Sequence, residues 1–243
     1  MADSGWVVDT AGRAGEGKSM ISTYDFARWF HVLLMGYWLG AEFVINAWSW
    51  YFARAKHLTY SQRMEIWEMV IDTDQHVRNA LILIMPFGFQ LAAELDISPV
   101  KGDGLTAVWI VSLAWFALMW MSHLTLKKPS GKFWRDLDLW VRTAVAVFFI
   151  GLGLFSLARG TPFGAGWLSA KLVFYGLTIA CGISIRHFVR MVYAVMPAYS
   201  QAGISNPEIE KGLMSGIRGA TWVIVGLWVF AFIAGYLGAA KPF

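Results

Sequence analysis

Charge is the first thing this sequence has little of. Asp, Glu, Lys and Arg make up 15% of the chain, against about 25% in ordinary soluble domains. Cysteine is nearly absent: Cys181 stands alone inside an apolar run, so no intramolecular disulfide is possible. There is no HExxH, no CxxC and no tract rich in Met and His, which leaves no closely spaced metal motif. Strand-type alternation is missing, and that argues against a membrane barrel. No internal repeat and no low-complexity segment stands out. The stretch from Met1 to Met20 lacks a continuous apolar core and carries Asp3, Asp9, Arg13, Glu16 and Lys18. No cleavable signal peptide is expected there, only a polar, glycine-rich tail over residues 1–24.

What remains is apolar. Hydrophobic residues are 57% of the 243, with 14 Trp, 17 Phe and 24 Gly. A soluble protein of this size cannot hide so much apolar surface, so a soluble globular enzyme is excluded. The net charge of +4 and pI near 9.2 fit basic loops at a membrane face better than nucleic-acid binding. The expected partner is a lipid bilayer, and no nucleic acid is expected.

A spanning helix needs about 20 mostly apolar residues. Six segments qualify, at about 25–52, 78–95, 105–126, 139–158, 166–192 and 213–237. They form one transmembrane domain over 25–243, an all-α bundle. Ser22 and Asp25 suit a capping box before the first helix. Asn206, Pro207 and Glu208 mark the start of the sixth. Between the first two spans, residues 61–77 mix Met64, Trp67, Met69 and Val70 with charges, which predicts an interfacial helix or a long extension of the second.

Arg13, Lys18, Arg28, Lys101, Arg159 and Lys241 fall on the side of the amino terminus, while 13 of the 20 Lys and Arg fall on the other; Lys171 is intramembrane. The positive-inside rule then puts both termini outside. In a bacterium this is a multi-pass protein of the inner membrane with periplasmic termini.

Ionisable residues at membrane depth are functional candidates by default. Four of the five histidines lie in or beside spans, and imidazole is a common axial ligand of haem iron. His31 and Lys171 fall in the outer half; His76, His123 and His187 fall at the inner side. Lys171 and His187 are 16 residues apart, about 24 Å along a helix, so one ligand set cannot serve both ends and two haem sites are possible. Arg186 and Arg190 flank His187 and suit haem propionates or lipid phosphate. Asp72, Asp74 and Gln75 surround His76 as solvating or orienting neighbours. Each histidine has a plainer alternative, such as an interfacial ring bonded to a backbone carbonyl for His31. Glu42 lies three turns beyond His31 on the same face. It is expected to be protonated, paired or in contact with water, as a proton relay or as a structural partner of Arg142. Trp38 shares the face of His31. Gly36 and Gly40 suggest close helix packing; Gly151 and Gly153 suggest packing or room for a flat ring. His57 reads as solvated and Cys181 as a small core residue.

Three patches carry a resemblance. Arg28-Trp29-Phe30-His31, with Trp38 seven residues after the histidine and then Gly40, resembles the first helix of the HemJ-type membrane protoporphyrinogen IX oxidases. Gly166-Trp167-Leu168-Ser169-Ala170-Lys171-Leu172 resembles a helix start of that family. Lys241-Pro242-Phe243 resembles its ending. CopD-like membrane proteins share the broad helix pattern. The resemblance implies a helical membrane bundle that binds haem b, with His31 as a haem ligand and Lys171 important for activity. The family has about four helices; here the third and fourth spans look inserted, and His123 and the shifted His187 suggest a second haem.

The expected function is a haem b-binding membrane redox protein, carrying electrons between a membrane or periplasmic partner and the quinone pool. Alternatives are a divergent protoporphyrinogen IX oxidase, or a transport or structural subunit of a larger membrane complex. The candidate site comprises Lys171 and Glu42 as catalytic groups, His31, His76, His123 and His187 as iron ligands, and Arg186 and Arg190 beside the cofactor.

Overall fold

Three of the six helices, the first, second and sixth, start where a side chain accepts from their orphan amides. The computed structural model describes residues 22–243, so the tail expected over 1–24 lies almost wholly outside the described residues. Ser22 Oγ accepts from the Asp25 amide at 3.1 Å and opens α1 (Thr23–Arg54). Thr59 and Gln62 form a reciprocal capping box that opens α2 (Tyr60–Glu94). Then follow α3 (Asp103–Leu124), α4 (Gly131–Arg159) and α5 (Gly166–Ala202). Asn206 Oδ1 accepts from the Glu208 and Ile209 amides, both at 3.0 Å, and with Pro207 behind it opens α6 (Pro207–Ala240). No strand occurs among the described residues.

Five helices, α1 and α3 to α6, are long and apolar enough to cross a membrane. Large apolar side chains such as Trp29, Ile110, Trp140, Phe155 and Trp222 cover the outside of the bundle, as a surface solvated by lipid requires. The chain is therefore a multi-pass helical membrane protein. Of the two alternatives expected for residues 61–77, the long extension of the second helix is the one found. Residues 61–77 are neither loop nor separate interfacial helix; they continue into α2 without a break. The capping box fixes the start, and Arg63, Ile66, Trp67, Val70 and Val77 then bury one face. Arg78, Asn79, Gln90 and Glu94 keep this helix below the apolar level of the other five.

The helices form a ring in chain order, closed by α6 against α1, and α2 also touches α5 across the middle. Short loops make neighbours antiparallel. The starts of α1, α3 and α5 and the ends of α2, α4 and α6 thus share one end, called here the amino-terminal end. Glycine decides how closely some helices approach. A Cβ on Gly153 of α4 would lie 2.6 Å from Ser169 O of α5, and one on Gly216 of α6 would lie 2.9 Å from Phe188 O of α5. By contrast Gly36, Gly40 and Gly151 have no heavy atom within 4 Å of such a Cβ. The packing expected of the first pair is absent because both face outward from α1 or onto open space.

The main core lies at the opposite end, around Phe52, Trp67, Val192, Tyr199 and Leu213. Arg63, fully buried, ties it together: Nε donates to Ala55 O at 2.8 Å and Nη1 to Glu210 Oε1 at 2.8 Å. The guanidinium also stacks 5.5 Å from the Tyr199 ring centre. The amino-terminal end is less filled, and the candidate site lies there.

Candidate functional site

His31 sits about two turns into α1 and is half-buried. Its Nδ1 lies 3.0 Å from Ile84 O of α2. A carbonyl only accepts, so Nδ1 carries the proton and Nε2 keeps its lone pair. Lys171 Nζ, from the second turn of α5, donates to that Nε2 at 3.3 Å. Sequence depth alone placed the two residues in one half; the structure brings their side chains into contact. Two glycines make the arrangement possible. A Cβ on Gly88 of α2 would lie 3.1 Å from His31 Cε1, and one on Gly238 of α6 would lie 2.7 Å from Lys171 Nζ. The backbone bond expected of an ordinary interfacial histidine is present too, so the ring is oriented as well as buried.

These two residues stand on the wall of a cavity of about 840 Å³ between α1, α2, α5 and α6. Its size falls within the roughly 300–1,000 Å³ of small-molecule sites. It runs from Tyr24 and Lys241 at the helix ends down to Trp38, about 21 Å at the rise of an α-helix. The walls are mostly apolar: Met35, Ile84, Phe89, Phe149, Leu168 and Leu172. All its ionisable side chains apart from tyrosines are basic: Arg28, His31, Lys171 and Lys241. Tyr175 donates to Leu81 O at 2.8 Å and closes the inner wall. Lys241 lies over the Trp167 ring at 5.8 Å, and the Trp167 amide donates to Phe243 O at 3.0 Å. The Lys-Pro-Phe segment is thus folded against the mouth. An apolar chamber with a positive mouth suits an amphipathic anion.

Tests of fit to a haem turn on the residues present. One imidazole with an oriented ring and an unprotonated Nε2 is what an axial ligand requires; here that Nε2 accepts from Lys171 Nζ, which iron would displace. Arg28, Lys171 and Lys241 suit two carboxylates. The glycines at 88 and 238 leave room that a methyl group would fill. These features fit.

The opposite end differs from expectation. His76 is exposed, edge-on to Tyr37 with ring centres 6.4 Å apart. His123 is half-buried, with Nε2 3.8 Å from Asp72 Oδ1. His187 is exposed and lies edge-on to Phe188. Among the described residues no two of these rings pair, and no group of three or more His, Cys, Asp or Glu is placed to hold a metal ion. The three share a depth but face different neighbours. Arg186 is held by Asp138, with Nη2 to Oδ2 at 3.4 Å, while Arg190 is exposed.

Glu42 is 6% exposed, but the partner expected for it is taken. Arg142 pairs with Asp138, one turn earlier on the same helix, at 2.9 Å. That local geometry outcompetes a carboxylate on α1. Sequence reasoning did not single out Arg28, Lys241, Gly88 or Gly238 as site residues. Arg28 was open to discovery, since it lies three residues before His31 on one helical face.

Comparison with protein-family models, with curated proteins and with solved structures returns no match.

Proposed function

We propose that this chain is a haem b-binding membrane redox protein that carries electrons between a membrane or periplasmic partner and the quinone pool. The observation that carries the reading is His31: its ring is fixed by Ile84 O, and its unprotonated Nε2, which accepts from Lys171 Nζ, belongs to the wall of a chamber lined also by Arg28, Lys171 and Lys241. Haem iron, when bound, supplies reversible one-electron chemistry. His31 would hold it through Nε2. The three cations would hold carboxylates and keep the negative end at the mouth. Phe89, Phe149 and Leu172 would keep water from the buried part. The dispersed histidines of the opposite end favour one haem rather than two.

A second reading, a HemJ-type protoporphyrinogen IX oxidase, is favoured by the contact of Lys171 with His31 in one chamber. There Lys171 binds a substrate carboxylate or assists proton transfer. Membranes containing the protein separate the two. Quinol should reduce a b-type chromophore without porphyrin formation; conversion of protoporphyrinogen to the porphyrin would support the second reading instead.

The proposed setting is the bacterial inner membrane, with six spans, α2 included, and both termini in the periplasm. The excess of Lys and Arg at the opposite end supports it. A periplasmic reporter fused after Phe243 should be active, and one fused between Lys127 and Arg135 should be silent. The reverse pattern would invert the orientation.

A further inference from the structure

Contacts close three of the four seams around the chamber. Between α1 and α2, Phe30 stacks on Phe87 with ring centres 5.1 Å apart, and His31 Nδ1 reaches Ile84 O at 3.0 Å. Between α2 and α5, Tyr175 donates to Leu81 O at 2.8 Å. Between α5 and α6, Phe174 packs on Phe230 with ring centres 6.0 Å apart, and the Lys171 side chain fills the space before Gly238. The fourth seam, between α1 and α6, changes along its length. Toward the opposite end it is closed: Thr221 donates to Asn46 Oδ1 at 3.0 Å, and Trp228 packs on Phe43 with ring centres 4.1 Å apart. Beside the chamber the two helices part. A Cβ on Gly36 of α1 would meet no heavy atom within 4 Å, and one on Gly235 of α6 would meet only Met35 Cε, at 3.5 Å. Met35 is unbranched and flexible, so the contact that crosses the gap is a yielding one.

Val32 marks where the gap leads. It lines the chamber and is also 64% exposed. It stands about 14 Å along α1 from Thr23, in a helix long and apolar enough to cross a membrane. Surface at that depth meets lipid. Arg28, Val32 and Gly36 follow at four-residue steps and form one ridge. All three line the chamber, with Arg28 toward the aqueous end. The ridge thus runs from charge at the membrane surface to apolar surface in the bilayer, the same order as in an amphiphile lying in a leaflet. To enter the chamber end-on, such a molecule would first leave the bilayer and expose its apolar body to water. Sideways entry keeps the body among apolar groups and the charge at the interface, where Arg28 and Lys241 stand.

We propose that the chamber exchanges its ligand directly with the bilayer through the gap between α1 and α6, and that this ligand is a carboxylate amphiphile dissolved in the leaflet at the amino-terminal end. Its body slides past Val32, Gly36 and Gly235 while its carboxylates move from the membrane surface to Arg28 and Lys241. No bond forms or breaks. The inference rests on the reading of the chamber as a site for an amphipathic anion and does not need that anion to be haem.

Gly36→Leu and Gly235→Leu each plug the gap with a residue that favours the helix. Purified apoprotein in phosphatidylcholine vesicles is loaded with haem by donor vesicles, and bound haem is then drawn off by apomyoglobin, with both rates followed optically. Each variant should take up and lose haem about tenfold more slowly than wild type, as expected for passage through an overpacked seam. A substitution that only spoiled the site would hasten loss instead. Gly40→Leu, on the same helix but outside the chamber lining, should leave both rates alone. Loss from both plugged variants as fast as from wild type, or equal slowing in Gly40→Leu, would overturn the proposal. If the wild type takes up no haem, the haem reading fails by itself, and cis-parinarate, a bilayer-soluble carboxylate, serves as the probe in the same assay. Uptake of neither probe would overturn the proposal as well.

Discussion

Replacing Gly88 by alanine adds one methyl group and no charge, and should weaken haem binding. The new Cβ would stand 3.1 Å from His31 Cε1 and 3.6 Å from Nδ1. Carbon atoms at ease lie about 3.5–4.0 Å apart. The ring cannot retreat freely, because moving away loosens the 3.0 Å bond from Nδ1 to Ile84 O. Overpacking of this kind costs about 1–3 kcal/mol, and a strained hydrogen bond costs up to about 1 kcal/mol within that range. At about 1.4 kcal/mol per tenfold, haem affinity should fall by roughly ten- to a hundredfold. Fold stability should fall by less than the full overpacking cost, since alanine is a better helix former than glycine by up to about 1 kcal/mol. Gly40→Ala is the control: no atom lies within 4 Å of its Cβ and it does not line the chamber. Haem titration of the apoprotein, beside thermal unfolding in detergent, reads both quantities. Equal affinities in wild type, Gly88→Ala and Gly40→Ala would refute the role of His31 Cε1 contacts in holding the ligand.

Lys171→Met keeps the apolar stem and deletes the charge, so expression and fold should persist while the haem midpoint potential or porphyrin turnover changes; an unaltered potential and unaltered turnover would remove Lys171 from the site. Arg63→Met leaves Glu210 without its partner and Ala55 O with the Leu58 amide as its one donor; breaking a buried pair costs about 3–5 kcal/mol, and unfolding in detergent should show a loss of that size, with Arg63→Met/Glu210→Leu recovering part of it. At the loop between α2 and α3, the hydrogen bond and charge of Lys101 hold the exposed Asp96 carboxyl below its usual range. The pair's small contribution is present above the ordinary carboxylate pKa and fades as pH falls through the lowered value. The stability difference between wild type and Lys101→Ala should therefore vanish in acid and shrink in high salt; a difference unchanged by either would contradict the assignment.

Some of this was legible in the sequence and some was not. Long apolar runs separated by capping residues give the six helices directly, because lipid leaves few alternatives to a helix. The ends were less visible: α2 and α5 run well past the apolar segments, carried by buried faces such as Ile66, Trp67 and Val70 or Val192, Met196 and Tyr199. Apolar run length cannot register an amphipathic extension. Depth along the membrane was readable too, which is why His31 and Lys171 were placed in the same half. The direction in which a side chain points was not. His76, His123 and His187 share a depth, yet His76 meets Tyr37 of α1, His123 lies near Asp72 of α2 and His187 is exposed beside its own chain neighbour Phe188. The same limit undid the pairing of Glu42 with Arg142, since Asp138 sits four residues before Arg142 and needs no tertiary contact to reach it. Gly88 and Gly238 look in sequence like any glycine of an apolar helix. Their meaning exists only once His31 and Lys171 arrive from other helices.

The most direct test of the central claim is the reduced-minus-oxidised optical spectrum of the purified protein, with haem quantified, for wild type and His31→Ala. One b-type haem per chain in the wild type, lost in a His31→Ala protein that still folds, is the predicted result. No b-type bands in the wild type, or a haem whose content and spectrum ignore the loss of His31, would contradict it.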